Sequence, residues 1–139
     1  MSPEIARETE RFLVGKLKAA IPDAQILPWT GGGLGTEATE IEPPFVVIGI
    51  TEAVSQYQSE STWLCNGGAQ ILTHSSETNS EQHAILTRQV YAALKNLQPE
   101  IPSATFAFHG IDISTQRSAE DDDSKAHANV IDFVCGVGG

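Results

Sequence analysis

Four histidines, two cysteines, one glycine-rich stretch and one acidic run supply most of the side chains here that could do chemistry. His74 and His83 flank a polar turn, while His109 and His127 fall on two later extended runs. None makes the His-x-x-x-His spacing that sets two imidazoles on one helix face. Pairing of the last two runs could bring His109 near His127, but zinc asks for three or four ligands and a supporting shell. Cys65 and Cys135 stand in apolar runs far apart in sequence, where buried free thiols are expected and no activating neighbour is identifiable. No Gly-x-Ser-x-Gly nucleophile elbow exists. Thr30-Gly31-Gly32-Gly33-Leu34-Gly35 invites comparison with a phosphate-cradling loop, yet no Lys-Ser or Lys-Thr follows it and no helical pattern opens there. Glu120-Asp121-Asp122-Asp123 offers carboxylates to a hard cation but lacks the alternating ligands, turn glycine and distal Glu of a calcium loop. These residues imply no enzyme, no cofactor and no metal.

Contact is a better use for three other residues. Trp29 beside the glycine stretch, Leu34 within it and Trp63 at the start of an extended run are the candidate subunit or partner interface. Tryptophan concentrates in binding hot spots, although a core or half-buried aromatic fits both positions as well.

Charge narrows the partners. Eight Lys and Arg against eighteen Asp and Glu give a formal net charge of −10, which opposes a direct grip on nucleic acid. It suits a self-repelling surface, or one that must not stick to DNA. No apolar run approaches the roughly 18 residues of a membrane span. Met1-Ser2-Pro3-Glu4 lacks a basic region leading into an apolar core, so no secretory signal is expected.

The elements that would position these residues follow from periodicity. Ser2-Pro3 opens a helix, with Ile5, Ala6, Phe12, Leu13, Leu17, Ala20 and Ile21 on one broad face. Arg7, Glu8, Glu10, Arg11, Lys16 and Lys18 cover much of the rest, and Pro22 ends it. Ala24–Trp29 reads as a short strand. Phe45–Ala53 is apolar on both parities, as expected of a strand covered on both faces or covered by a neighbouring subunit. Thr62–His74 is extended, with a bulge or bend expected at Gly67-Gly68. Leu86, Val90, Ala93, Leu94 and Leu97 share one face of a second helix, Glu81–Leu97. Pro99 and Pro102 bracket a turn. Thr105–Gln116 and Ala126–Cys135 then form an antiparallel hairpin, with a bulge at Gly110 and the acidic run at or near its tip. The expected fold is α+β: about four to five mostly antiparallel strands packed by two helices, in the order α-β-β-β-α-β-β. One domain, 1–139, is expected, with a flexible Gly-rich loop 30–44 and an acidic hairpin loop 118–125.

In this layout the chain resembles the small tail-terminator and tail-completion proteins of long-tailed bacteriophages. The resemblance rests on the N-terminal amphipathic helix and long polar loop, followed by Pro43-Pro44-Phe45-Val46-Val47-Ile48. It continues through Glu81-x-x-Ala84-Ile85-Leu86-x-x-x-Val90-x-x-Ala93-Leu94 and the acidic hairpin ending in Val130-Ile131-Asp132-Phe133-Val134. It implies a structural virion protein at the neck end of the tail, present in the host cytoplasm during assembly. Such a protein forms a ring, usually of six copies, that caps the tail tube, stops its polymerisation and joins it to the head connector. The implied partners are other copies of the chain, the tube protein and the connector protein. DNA would pass through without specific binding, past lumen-facing Glu120, Asp121, Asp122 and Asp123. Six copies at −10 would carry −60, a wall along which DNA slides. A head–tail connector or another minor tail protein of similar fold is the alternative within phage biology, and a non-phage α+β ligand-binding domain lies outside it.

Overall fold

Proline at a first helical position needs no partner for its nitrogen, and helix α1 (Pro3–Ala20) starts on one. Ile5, Leu13, Val14 and Leu17 turn inward along it. Pro22 forbids continuation, and the Ile21 N–H closes the last turn on the Leu17 carbonyl at 2.8 Å. A computed structural model of the chain describes residues 3–28, 45–55, 62–74, 80–118 and 126–138. After α1 come β1 (Gln25–Pro28), β2 (Phe45–Ser55), β3 (Thr62–His74), α2 (Ser80–Lys95), β4 (Glu100–Ser103), β5 (Phe106–Ser118) and β6 (Ala126–Gly138).

The six strands form one sheet in the order β1-β2-β3-β6-β5-β4. Among the described residues the fold is α+β with two helices, as expected, but the sheet has one strand more than expected and is mixed. β1 runs parallel to β2, with Gln25 opposite Phe45, and every other pairing is antiparallel. Parallel neighbours need a long crossover, which segment 29–44 is long enough to supply. The strand that sequence reasoning missed is β4, read as a turn because Pro99 and Pro102 bracket it. At a sheet edge a proline removes no required ladder donor, so Glu100–Ser103 lies against β5 with an irregular register.

Both helices lie on one face. α1 packs over β1 and β2, and α2 over β3 and towards β5 and β6. Between them and the sheet lie Val46, Ile48, Cys65, Ala69, Ile71, Phe106, Phe108, Ile131, Phe133, Cys135 and Val137, with the Leu86, Val90 and Leu94 stripe of α2. Each large aliphatic buried there contributes roughly 1.5–3 kcal/mol relative to exposure. Phe12 tilts against Phe108 at 4.8 Å between centroids and ties α1 to β5.

The expected bulge at Gly67-Gly68 is absent. β3 pairs with β6 in unbroken register from Thr62↔Gly138 to His74↔Ala126. The irregularity sits across the ladder in β2, between Ile50 and Glu52. Gly67 serves a different need, close approach: an added Cβ would collide with the Gly49 carbonyl oxygen and come within 3.0 Å of Phe133. The bulge expected at Gly110 is present as a register shift between Phe108 and Gly110, with Gly110 at φ +156°. The face of the sheet away from the helices is also partly apolar. Phe45, Val47 and Ala128 are buried there, outside the helix-side cluster, so β2 is covered on both parities as expected.

Candidate functional site

Polar side chains inside the helix layer are tied to each other. The Asn129 amide donates to His83 Nε2 at 2.9 Å and to Thr87 Oγ1 at 3.3 Å. Nε2 therefore accepts, the ring proton sits on Nδ1, and Nδ1 donates to Thr73 Oγ1 at 2.8 Å. The set pins α2 to β3 and β6. Thr9 gives its hydroxyl proton to the Ile5 carbonyl at 2.7 Å and sits 3.7 Å from Cys65 Sγ. Cys65 and Cys135 are register partners, both free and fully buried. Burial pushes both thiols up, and at Cys135 the neighbouring Cys65 adds to the effect. Neither is held as the thiolate that a nucleophile requires.

Glu10, expected on the solvent side of the first helix, is instead 6% exposed. Its Oε1 has no hydrogen-bond partner among the described residues. The Ile50 backbone N–H of β2 is directed at the carboxylate and favours its charged form. Desolvation nevertheless outweighs both that bond and the charge of Arg7, and raises the Glu10 pKa above its ordinary 4.5. A carboxyl raised in the folded state holds its proton longer than in the unfolded chain, so stability falls as pH rises from about 4.5 through the raised value. Glu10→Gln should abolish that decline, read as thermal midpoints across roughly pH 4 to 8. A wild-type midpoint that climbs over this window would contradict the assignment. Asp132 titrates in the opposite sense and lower. Thr115 Oγ1 donates to it at 2.6 Å and Arg117 Nε at 3.1 Å, holding its carboxyl below the usual 3.8.

The residues proposed for contact are only partly brought into view. Trp63 is half-buried on the helix side of β3, opposite Val137 and packed against the core cluster. Trp29, Leu34 and Glu120, Asp121, Asp122 and Asp123 lie outside the described residues. His109 and His127 are not brought together. His109 falls at the bulge beside Gly136, while His127 is opposite Thr73 at the far end of β6.

Three surfaces remain. The first is the solvent face of α1, where Arg7, Arg11, Gly15 and Lys18 are all exposed. The second is the far side of the sheet, where Glu52, Asn66, Val134 and Asp112 form one cross-strand row, with Val54 and Leu64 beside it. The third is a shallow cleft of about 310 Å³ at the β4 edge, lined by Thr62, Ile101, Phe106, Ala107, His109 and Gly138. Ile101 is 78% exposed there. The terminal strands β1 and β4 are short and carry Pro28 and Pro102, a pattern that blunts edge-to-edge strand pairing. Sequence reasoning assigned the charges of α1 to helix solvation.

The described residues form a mixed six-stranded sheet with two helices on one side. This architecture is similar to that of a chain in the virion of a native gene transfer agent particle, at a TM-score of 0.67 and 12% sequence identity. The match covers 99% of this chain and 100% of the other. At that identity the likeness is one of fold. No protein-family model matches the sequence, and no curated protein does.

Proposed function

We propose that this chain is a structural subunit of a phage-type virion, acting without catalysis. We further assign it to a ring at the neck end of the tail that caps the tube, ends its polymerisation and meets the head connector. The observation that carries the reading is the end-to-end likeness to a virion chain, with neither chain leaving a domain unmatched. The net charge of −10 supports it, since a ring of such subunits repels the DNA that must pass through. In this reading the acids Glu120–Asp123 face the lumen and make no specific DNA contact. Copies of the chain, the tube protein and the connector protein are its partners, and it is made in the host cytoplasm before joining the virion.

The test is to delete the gene from the element that encodes it and image the particles. Tubes of uncontrolled length are expected. Tubes of normal length lying apart from filled heads would replace the cap with a connector role. Normal infectious particles would overturn the structural assignment altogether.

A further inference from the structure

We propose that the solvent face of α1, with Arg7, Arg11 and Lys18 around a notch at Gly15, is the seat of a second copy of this chain. That copy presents the acidic far side of its sheet, so that subunits join front to back. The inference rests on the virion-subunit reading and deepens it by assigning the contact.

Charge is partitioned in this fold. The two helices hold six of the eight Lys and Arg but only four of the eighteen Asp and Glu, which leaves two cations against fourteen acids for everything else. Both helices lie on one face, and their own side chains sum to a net positive charge while the molecule is strongly anionic. Two copies meeting through identical patches would set like charge against like. A front-to-back contact sets opposite charges together, and such heterologous contacts close into rings when the rotation permits. The far side of the sheet supplies exposed Glu52 and Asp112 and half-buried Asp132. Arg117, bound to Asp132, is a described cation on that face. Val54, 45% exposed, and half-buried Leu64 add apolar area beside the acids.

The receiving face is built along one helical stripe. Residues 7, 11, 15 and 18 follow the three- and four-residue steps that align on an α-helix. Arg11 and Lys18 make no ion pair among the described residues, whereas Lys16, turned towards the sheet, is bridged to Glu100 of β4. Gly15 is the second observation. A glycine inside a helix weakens it relative to alanine, and here the fold asks for none, since an added Cβ would meet nothing within 4 Å. A glycine with open space above it, between two cations, lets a neighbour's main chain approach closely.

The experiment measures mass by native mass spectrometry and light scattering, at low and high salt, with and without purified tail tubes. The wild type should assemble, and should dissociate as salt rises. Combined Arg7→Glu, Arg11→Glu and Lys18→Glu should leave the melting temperature within a few degrees and abolish assembly. Gly15→Gln should raise the melting temperature while weakening assembly at least tenfold. A Glu52→Lys, Asp112→Lys variant should also fail alone, yet assemble when mixed with the Arg7/Arg11/Lys18 variant, because each then offers the other a complementary face. A triple variant that assembles like the wild type overturns the docking face and leaves the ring reading standing. A wild type that stays monomeric under all conditions overturns both. Tube protein or duplex DNA held by a monomer through Arg7, Arg11 and Lys18 would assign the face to that partner and overturn the second copy.

Discussion

Phe133→Ala is expected to remove about 3–5 kcal/mol of folding stability, a large share of the roughly 5–15 kcal/mol that a domain possesses. Phe133 is 1% exposed in the central strand β6, on the helix side. Its register partners are Gly67 on β3 and Ile113 on β5. Gly67 contributes no side chain, so the Phe133 ring fills the space above it. Truncation therefore leaves a hole that its β3 partner has no side chain to close, which places the loss towards the upper end of the range. Ile101→Ala is the control, since Ile101 is 78% exposed and its removal should change stability by no more than about 0.5 kcal/mol. Urea denaturation of both variants gives the comparison. A Phe133→Ala loss below about 1.5 kcal/mol would mean that the helices do not close over β6 as described.

Much of this core was legible in the sequence, because the signals that define it are periodic. Leu86, Val90 and Leu94 recur at four residues and lie 8%, 0% and 0% exposed. Phe106 and Phe108 share a parity, Ile111 and Ile113 the other, and the register shift before Gly110 returns both pairs to the helix side. Periodicity failed where a residue serves a partner distant in sequence. Glu10 looked like helix solvation because nothing local announces that α1 will pack this side chain against the Ile50 N–H of β2. Pro99 and Pro102 looked like a turn because proline is compatible with both a turn and an edge strand, and only β5 decides between them.

The contact surfaces were less legible than the core. Trp63 was singled out for its residue type, and the structure packs it against the helix-side cluster. The α1 face escaped notice because alternating charges on a helix are usually solvation. The proposal for it depends on a topology that puts α1 and α2 on the same side of the sheet, with Glu52, Asp112 and Asp132 on the other. Which side of the sheet a helix covers is a property of the fold, and no window of sequence contains it.

Gly67 and Gly68 should respond in opposite ways to the same substitution, although they are adjacent and both lie in β3. Gly67→Ala is expected to cost about 3 kcal/mol, the upper part of the usual range for overpacking a filled interior. Its new Cβ would collide with the Gly49 carbonyl oxygen, and would lie 2.9 Å from Ile50 Cδ1 and 3.0 Å from Phe133 Cε1. Side-chain ends can shift. The Gly49 carbonyl belongs to the β2 backbone, and moving it breaks the ladder between β2 and β3. Gly68→Ala points to the other face, where its nearest neighbours are the Asp132 carboxylate at 3.5 Å and Val130 Cγ1 at 3.6 Å, ordinary contact distances. A glycine inside a strand also loses more backbone freedom on folding than alanine does, so Gly68→Ala should be neutral or stabilise by up to about 1 kcal/mol. Equilibrium denaturation of the two single variants reads the difference. The double variant Gly67→Ala with Phe133→Ala adds a sharper check, because the two sites touch and their effects need not add. Removing the ring takes away one of the three obstacles and leaves the backbone oxygen in place. The double variant should therefore be no more stable than Phe133→Ala alone, and a recovery of stability would mean that Gly67 answers to the aromatic ring and not to the bulged strand beside it.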